Sequence, residues 1–139
     1  MLFRSFELFE HLYDPKEFLV SLQNIMNKGD ILYITTLTSS GIDIKELKHH
    51  SKAINPPHHI NFISVNGIEE FLFNQNFSFF EISTPGRLDV DILLKQKNQI
   101  ENVLLLDIIN NFDEHSLIEF QNLVAKNKMS SHMLIEAKL

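Results

Sequence analysis

Apolar and polar residues along this chain fall into runs of two periods. Leu2-Phe3-Arg4-Ser5-Phe6-Glu7-Leu8-Phe9 is short, rich in Phe and poor in turn residues, which predicts a strand over 2–9. Asp14-Pro15-Lys16-Glu17 then places a capping acid, a proline at the first helical position and an acid in the first turn. Phe18, Leu19, Leu22, Ile25 and Met26 fall on one face of the helix this start predicts, and Gly29 sits where a left-handed cap is expected. Ile31 to Leu37 is continuously apolar and β-branched, the pattern of a strand covered on both faces. Strand, helix and strand make a βαβ unit.

From Thr38 to Pro57 the composition turns polar, so residues 39–57 read as a loop insertion with a short helical stretch near Ile44 to Leu47. Ser64 can cap a helix whose apolar face is Ile68, Phe71 and Leu72, and Phe77 to Thr84 predicts a strand closed by Pro85-Gly86. Residues 87–127 read as a helical insertion, with one helix over Lys95 to Asn111 and another opened by Asp113 and carrying Leu117, Ile118, Phe120, Leu123 and Val124. Ser131 to Lys138 alternates through Met133, Ile135 and Ala137 as a last strand. The expected fold is a single α/β domain over 1–139, with a mostly parallel sheet of about four strands and helices on both faces. Ligands of such a sheet bind beyond the carboxyl ends of its strands, after Phe9, Thr36 and Thr84.

Composition narrows the function classes. At 139 residues the chain can bury a core without disulfides, and it has no Cys, which removes thiol nucleophiles and zinc–thiolate sites. The 18 acids against 12 bases form no block of one sign, so a nucleic-acid partner is disfavoured. The most apolar run, Val103 to Leu106, is far short of the roughly 18 residues of a membrane span, and the N-terminus does not read as a secretory signal. The cytoplasm is the expected compartment. Only four glycines occur, all isolated, so no Gly-rich phosphate cradle can be written anywhere in the chain.

The candidate chemistry lies at the end of the first strand. Glu7, Glu10 and His11 straddle the turn before Asp14, where they either solvate a loop or converge on the crevice. His58 and His59 follow Pro56-Pro57 and either line that crevice or cap the next helix. His49, His50 and His115 are expected in solvent, and His132 as a packed, hydrogen-bonded side chain.

Phe6-Glu7-Leu8-Phe9-Glu10-His11-Leu12-Tyr13-Asp14-Pro15 followed by a helix, Lys28-Gly29-Asp30 and Ile31 to Thr36 resembles the fourth- and fifth-strand region of class I S-adenosylmethionine-dependent methyltransferases. Pro56-Pro57-His58-His59-Ile60-Asn61-Phe62-Ile63-Ser64, Ser83-Thr84-Pro85-Gly86-Arg87-Leu88-Asp89-Val90-Asp91 and Ser130-Ser131-His132-Met133 continue the resemblance in the same order through the C-terminal half of one bacterial subgroup. Two places depart from the family: Lys28-Gly29-Asp30 stands for Pro-Gly-Gly, and Thr36-Leu37-Thr38 for Thr-Pro-Asn.

The resemblance implies a partial Rossmann-like methyltransferase fold whose last strand is antiparallel, with the cofactor-binding N-terminal half absent. It implies Glu10 and His11 as catalytic residues facing the methyl acceptor, and His58, His59 and Asn61 as substrate-binding residues. In some similar methyltransferases a divalent metal is held by the matching residues, which here are Glu7, Glu10, His11 and His59; in others His11 would serve as a hydrogen-bonding group or general base. The expected activity is methyl transfer from S-adenosylmethionine to an O or N acceptor of a small molecule or sugar. The isolated chain is expected neither to bind that cofactor at micromolar affinity nor to turn over. The alternatives are a non-catalytic α/β partner that pairs through its first strand, as a homodimer or with a complementing N-terminal half, and a truncated gene product.

Overall fold

The computed structural model describes residues 1–139. Its elements in chain order are β1 (Leu2–Phe6), α1 (Pro15–Gln23), β2 (Ile31–Leu37), α2 (Ile42–Leu47), α3 (Val65–Asn74), β3 (Phe79–Ser83), α4 (Asp89–Lys95), α5 (Val103–Asn111), α6 (Glu114–Lys126) and β4 (His132–Lys138). Short 3-10 turns lie at Phe9–His11, Lys48–His50 and Lys97–Gln99. The helix starts follow the capping logic of the sequence. Asp14, Ser64 and Asp113 each accept a hydrogen bond from an amide of the first turn, those of Glu17, Gly67 and Ser116.

The strands form one sheet in the order β1-β2-β4-β3. β1 is parallel to β2, while β4 is antiparallel to both β2 and β3. Three strands therefore point one way and the last runs against them, giving an α/β fold with a mixed sheet. Inserting the antiparallel β4 between β2 and β3 leaves a single parallel ladder, although the three strands share a direction.

Burial alternates along β2 and β4. Leu32, Ile34, Met133, Ile135 and Ala137 point to one face, where they join Leu19 of α1 and Ile68 and Leu72 of α3 in the main core. The opposite face carries half-buried Ile31, Tyr33, Thr35 and Leu37 between exposed Arg4, Phe6, Phe79 and Glu81. No helix contributes to a buried cluster there, so the helical layer expected on both faces covers one. The remaining apolar helix faces meet each other: Leu47, Val90, Leu93, Ile100, Leu105 and Ile109 form a second core with no strand residue in it. No helix is long and apolar enough to cross a membrane.

Four boundaries differ from the sequence reading for physical reasons. β1 stops at Phe6 because Glu7 takes a left-handed φ of 46°, which turns the chain out of the strand. α1 ends at Gln23, and Gly29, with φ 90°, serves the turn into β2 instead of the helix cap. The strand expected over Phe77 to Thr84 is confined to Phe79–Ser83. Of the helix expected over Lys95 to Asn111, only Val103–Asn111 forms, as α5; Lys95 closes α4, and the 3-10 turn Lys97–Gln99 separates the two. At about 100° per residue, one continuous helix would put Leu93 and Ile100 on a different side from Leu105 and Ile109, yet all four reach the second core. The break that reconciles them is held by Glu46, whose carboxylate accepts from the amides of Glu101 at 2.6 Å and Asn102 at 2.7 Å.

Candidate functional site

Beyond the carboxyl ends of β1 and β2, the Phe9–His11 turn is anchored by Phe9, which is buried and meets Phe18 and Phe71 edge to face at 6.5 and 6.2 Å. This anchor drives Glu10 inward. Glu10 is 1% exposed, and one of its oxygens, Oε2, accepts from the Thr36 hydroxyl at 2.9 Å. The loop after Pro57 is zipped to the same turn: the Glu10 carbonyl accepts from the amides of Ile60 at 2.8 Å and Asn61 at 3.1 Å. The Asn61 side chain donates to the carbonyls of Phe9 and Leu12.

The zipper brings two imidazoles together. His11 and His59 meet edge to face, 4.7 Å between ring centres. The Nδ1 of His11 lies 2.7 Å from the His58 carbonyl, and that of His59 lies 2.7 Å from the Ala53 carbonyl. A carbonyl only accepts, so each ring carries a proton on Nδ1, and the tautomer this selects for a neutral ring has its lone pair on Nε2. Glu10, His11 and His59 each offer a ligand atom, and these atoms lie within 4.8 Å of one another. Backbone carbonyls that fix imidazole tautomers are the outer-shell arrangement of a metal-binding histidine.

Glu7 is directed elsewhere. Its carboxylate accepts from the Thr35 hydroxyl at 2.7 Å and lies 3.1 Å from His132 Nε2. The His58 side chain is exposed, and what it lends to the cluster is its backbone carbonyl. Asn61 spends its side-chain amide on backbone carbonyls, which positions the turn. His49, His50 and His115 are exposed.

A second polar centre, absent from the sequence reading, lies where the loops after β2 and β3 meet the start of β4. Asp89 is 1% exposed and saturated with donors: Ser130 Oγ and Gln121 Nε2 at 2.7 Å on one oxygen, and the Ser131 amide at 2.7 Å and hydroxyl at 3.1 Å on the other. Burial pushes its carboxyl up, but these donors together outweigh burial and hold it below the usual range. Asp43 beside it is equally buried, and its Oδ1 has no hydrogen-bond partner. Burial first, and then the Asp89 charge, push Asp43 from an ordinary 3.8 to about 6. The one sequence signal was an acid set inside apolar text, Ile42-Asp43-Ile44 and Leu88-Asp89-Val90.

A raised carboxyl in the folded state means that the fold binds the proton more tightly than the unfolded chain does. The cost of the charge is fully present above about pH 6 and fades as pH falls toward the unfolded value of 3.8. Asp43→Asn, which removes the buried charge, is therefore expected to stabilise the chain by about 1–3 kcal/mol at pH 8 and to change little at pH 4. Urea unfolding at the two pH values checks this; an equal loss of stability at both would contradict it.

The sheet order β1-β2-β4-β3 with its antiparallel last strand defines an α/β fold that carries a carboxylate–imidazole cluster beyond the carboxyl ends of β1 and β2. A solved structure with the same fold is that of Haemonchus contortus phospholethanolamine N-methyltransferase 2 in complex with phosphomonomethylethanolamine and S-adenosylhomocysteine. The TM-score is 0.56 and the identity 13%, over 99% of this chain and 33% of that one. The chain thus spans about a third of that protein's length, and the likeness is one of fold. No protein-family model and no curated protein matches the sequence.

Proposed function

We propose that this chain is the acceptor side of an S-adenosylmethionine-dependent methyltransferase, in which Glu10, His11 and His59 hold a divalent cation facing a hydroxyl of a small molecule or sugar. The observation that carries this reading is the pair of imidazoles whose Nδ1 atoms both meet backbone carbonyls, with one ligand atom from each ring and one from the buried Glu10 within 4.8 Å of one another. One carboxylate and two neutral imidazoles suit a borderline divalent ion with open positions. A bound ion of this kind lowers the pKa of a hydroxyl coordinated to it, which favours an oxygen acceptor. Glu10 keeps Oε1 available because Thr36 holds Oε2, and the Asn61 clamp fixes the turn that presents all three groups.

Holding the cofactor falls to residues beyond these, since the four isolated glycines cannot form the phosphate- or nucleotide-cradling turn. β1 supports the same reading as an edge strand with Leu2 and Phe6 exposed, suited to pairing with the strand of a complementing segment. Calorimetric titration of the 139-residue chain with S-adenosylhomocysteine is expected to give no saturable heat below about 100 μM. Tight binding to the isolated chain would overturn the assignment of cofactor binding to other residues.

A further inference from the structure

Outside the Glu10, His11 and His59 cluster, Asp43 is the one buried carboxylate that leaves an oxygen without a partner. Asp89 next to it receives four donors, and Glu10 is held by Thr36, whereas Asp43 Oδ1 has no partner at 1% exposure. An unpaired buried acceptor of this kind costs stability unless something donates to it. Asp43 borders two adjoining hollows of about 330 and 280 Å³, both of which share Ala53 and Ile92 as apolar wall. The smaller hollow is also lined by Lys52 and Lys95, two exposed cations that make no ion pair within the chain.

These groups define the chemistry of an occupant. A divalent ion does not fit, because Asp89 has no free lone pair and a single oxygen is too few ligands for a hard cation. An ammonium group needs only an acceptor and a desolvated charge partner, and Asp43 supplies both. A methylene spacer can lie on Ala53 and Ile92, and an anionic end can meet the lysines. We propose that this hollow binds a small zwitterion, with its primary ammonium on Asp43 Oδ1 and its anionic end at Lys52 and Lys95. The site takes nothing from Glu10, His11 or His59, so it stands or falls apart from the proposed cation site.

The chain is titrated with 4-aminobutyrate, butylammonium and butyrate while backbone amides are followed by NMR. 4-Aminobutyrate is expected to saturate, with the largest shifts near Asp43 and Ile92, and butylammonium to bind about fivefold or more weaker. Asp43→Asn, which is expected to stay folded, weakens 4-aminobutyrate about tenfold or more. Lys52→Ala with Lys95→Ala brings 4-aminobutyrate down to the level of butylammonium and leaves butylammonium unchanged. Butyrate binding as well as 4-aminobutyrate, unchanged binding to Asp43→Asn, or no saturation by any of the three below about 50 mM would each overturn the proposal.

Discussion

Gly41→Ala is expected to cost about 3 kcal/mol or more, which for a domain of this size lowers the midpoint of thermal unfolding by roughly 10 °C. A Cβ at Gly41 would lie 2.4 Å from the Ser131 Cβ, 2.5 Å from its Cα and 2.7 Å from its amide nitrogen. Two of those atoms are backbone at the entry to β4, and they cannot move without disturbing the Ser131 amide bond to Asp89 and the Thr38 amide bond to the Ser131 carbonyl. Gly86→Ala makes an instructive comparison. Its Cβ would fall 1.8 Å from Ser130 Oγ, a hydroxyl that can rotate away at the cost of its bond to Asp89. The smaller loss is expected there. Calorimetric scans of the two variants check the order, and a Gly41→Ala protein as stable as the parent would contradict the close approach of α2's entry to β4.

His59→Ala is expected to weaken Mn²⁺ binding about 100-fold or more while leaving the fold in place. The imidazole is only half-buried, and its single hydrogen bond runs to a loop carbonyl, so its removal takes a ligand away without opening the main core. Glu7→Gln is the matched control. Glu7 belonged to the expected ligand set but is occupied by Thr35 and His132, so this change is expected to leave Mn²⁺ affinity within about twofold of the parent. The loss of the free-ion signal in electron paramagnetic resonance measures both. A Glu7→Gln loss as large as that of His59→Ala would mean that the carboxylate swings into the cluster.

The parts of this architecture that were legible in the sequence are those set by neighbours in the chain. Asp14, Ser64 and Asp113 cap their helices because the amides they serve are three residues away. Ile31 to Leu37 and the alternation of Met133, Ile135 and Ala137 mark the strands they form. What escaped depends on partners far off. Whether Glu7 continued the strand or left it was decided by Thr35 and His132, and the break between α4 and α5 by Glu46. Asp89 owes its burial to Gln121, Ser130 and Ser131, more than 30 residues on. No local pattern announces such a pairing. At the proposed cation site Glu10, His11 and His59 were legible as residue types, but the carbonyls of His58 and Ala53 that orient the rings come from loop geometry alone.

The account rests on Glu10, His11 and His59 acting as one divalent-cation centre, and anomalous X-ray scattering from a crystal of the chain soaked in Mn²⁺ locates the ion directly. A single strong peak bounded by Glu10 and the Nε2 atoms of His11 and His59 is the predicted result. A crystal saturated with Mn²⁺ that shows no peak there, or shows one only beside Asp43 and Asp89, would contradict it.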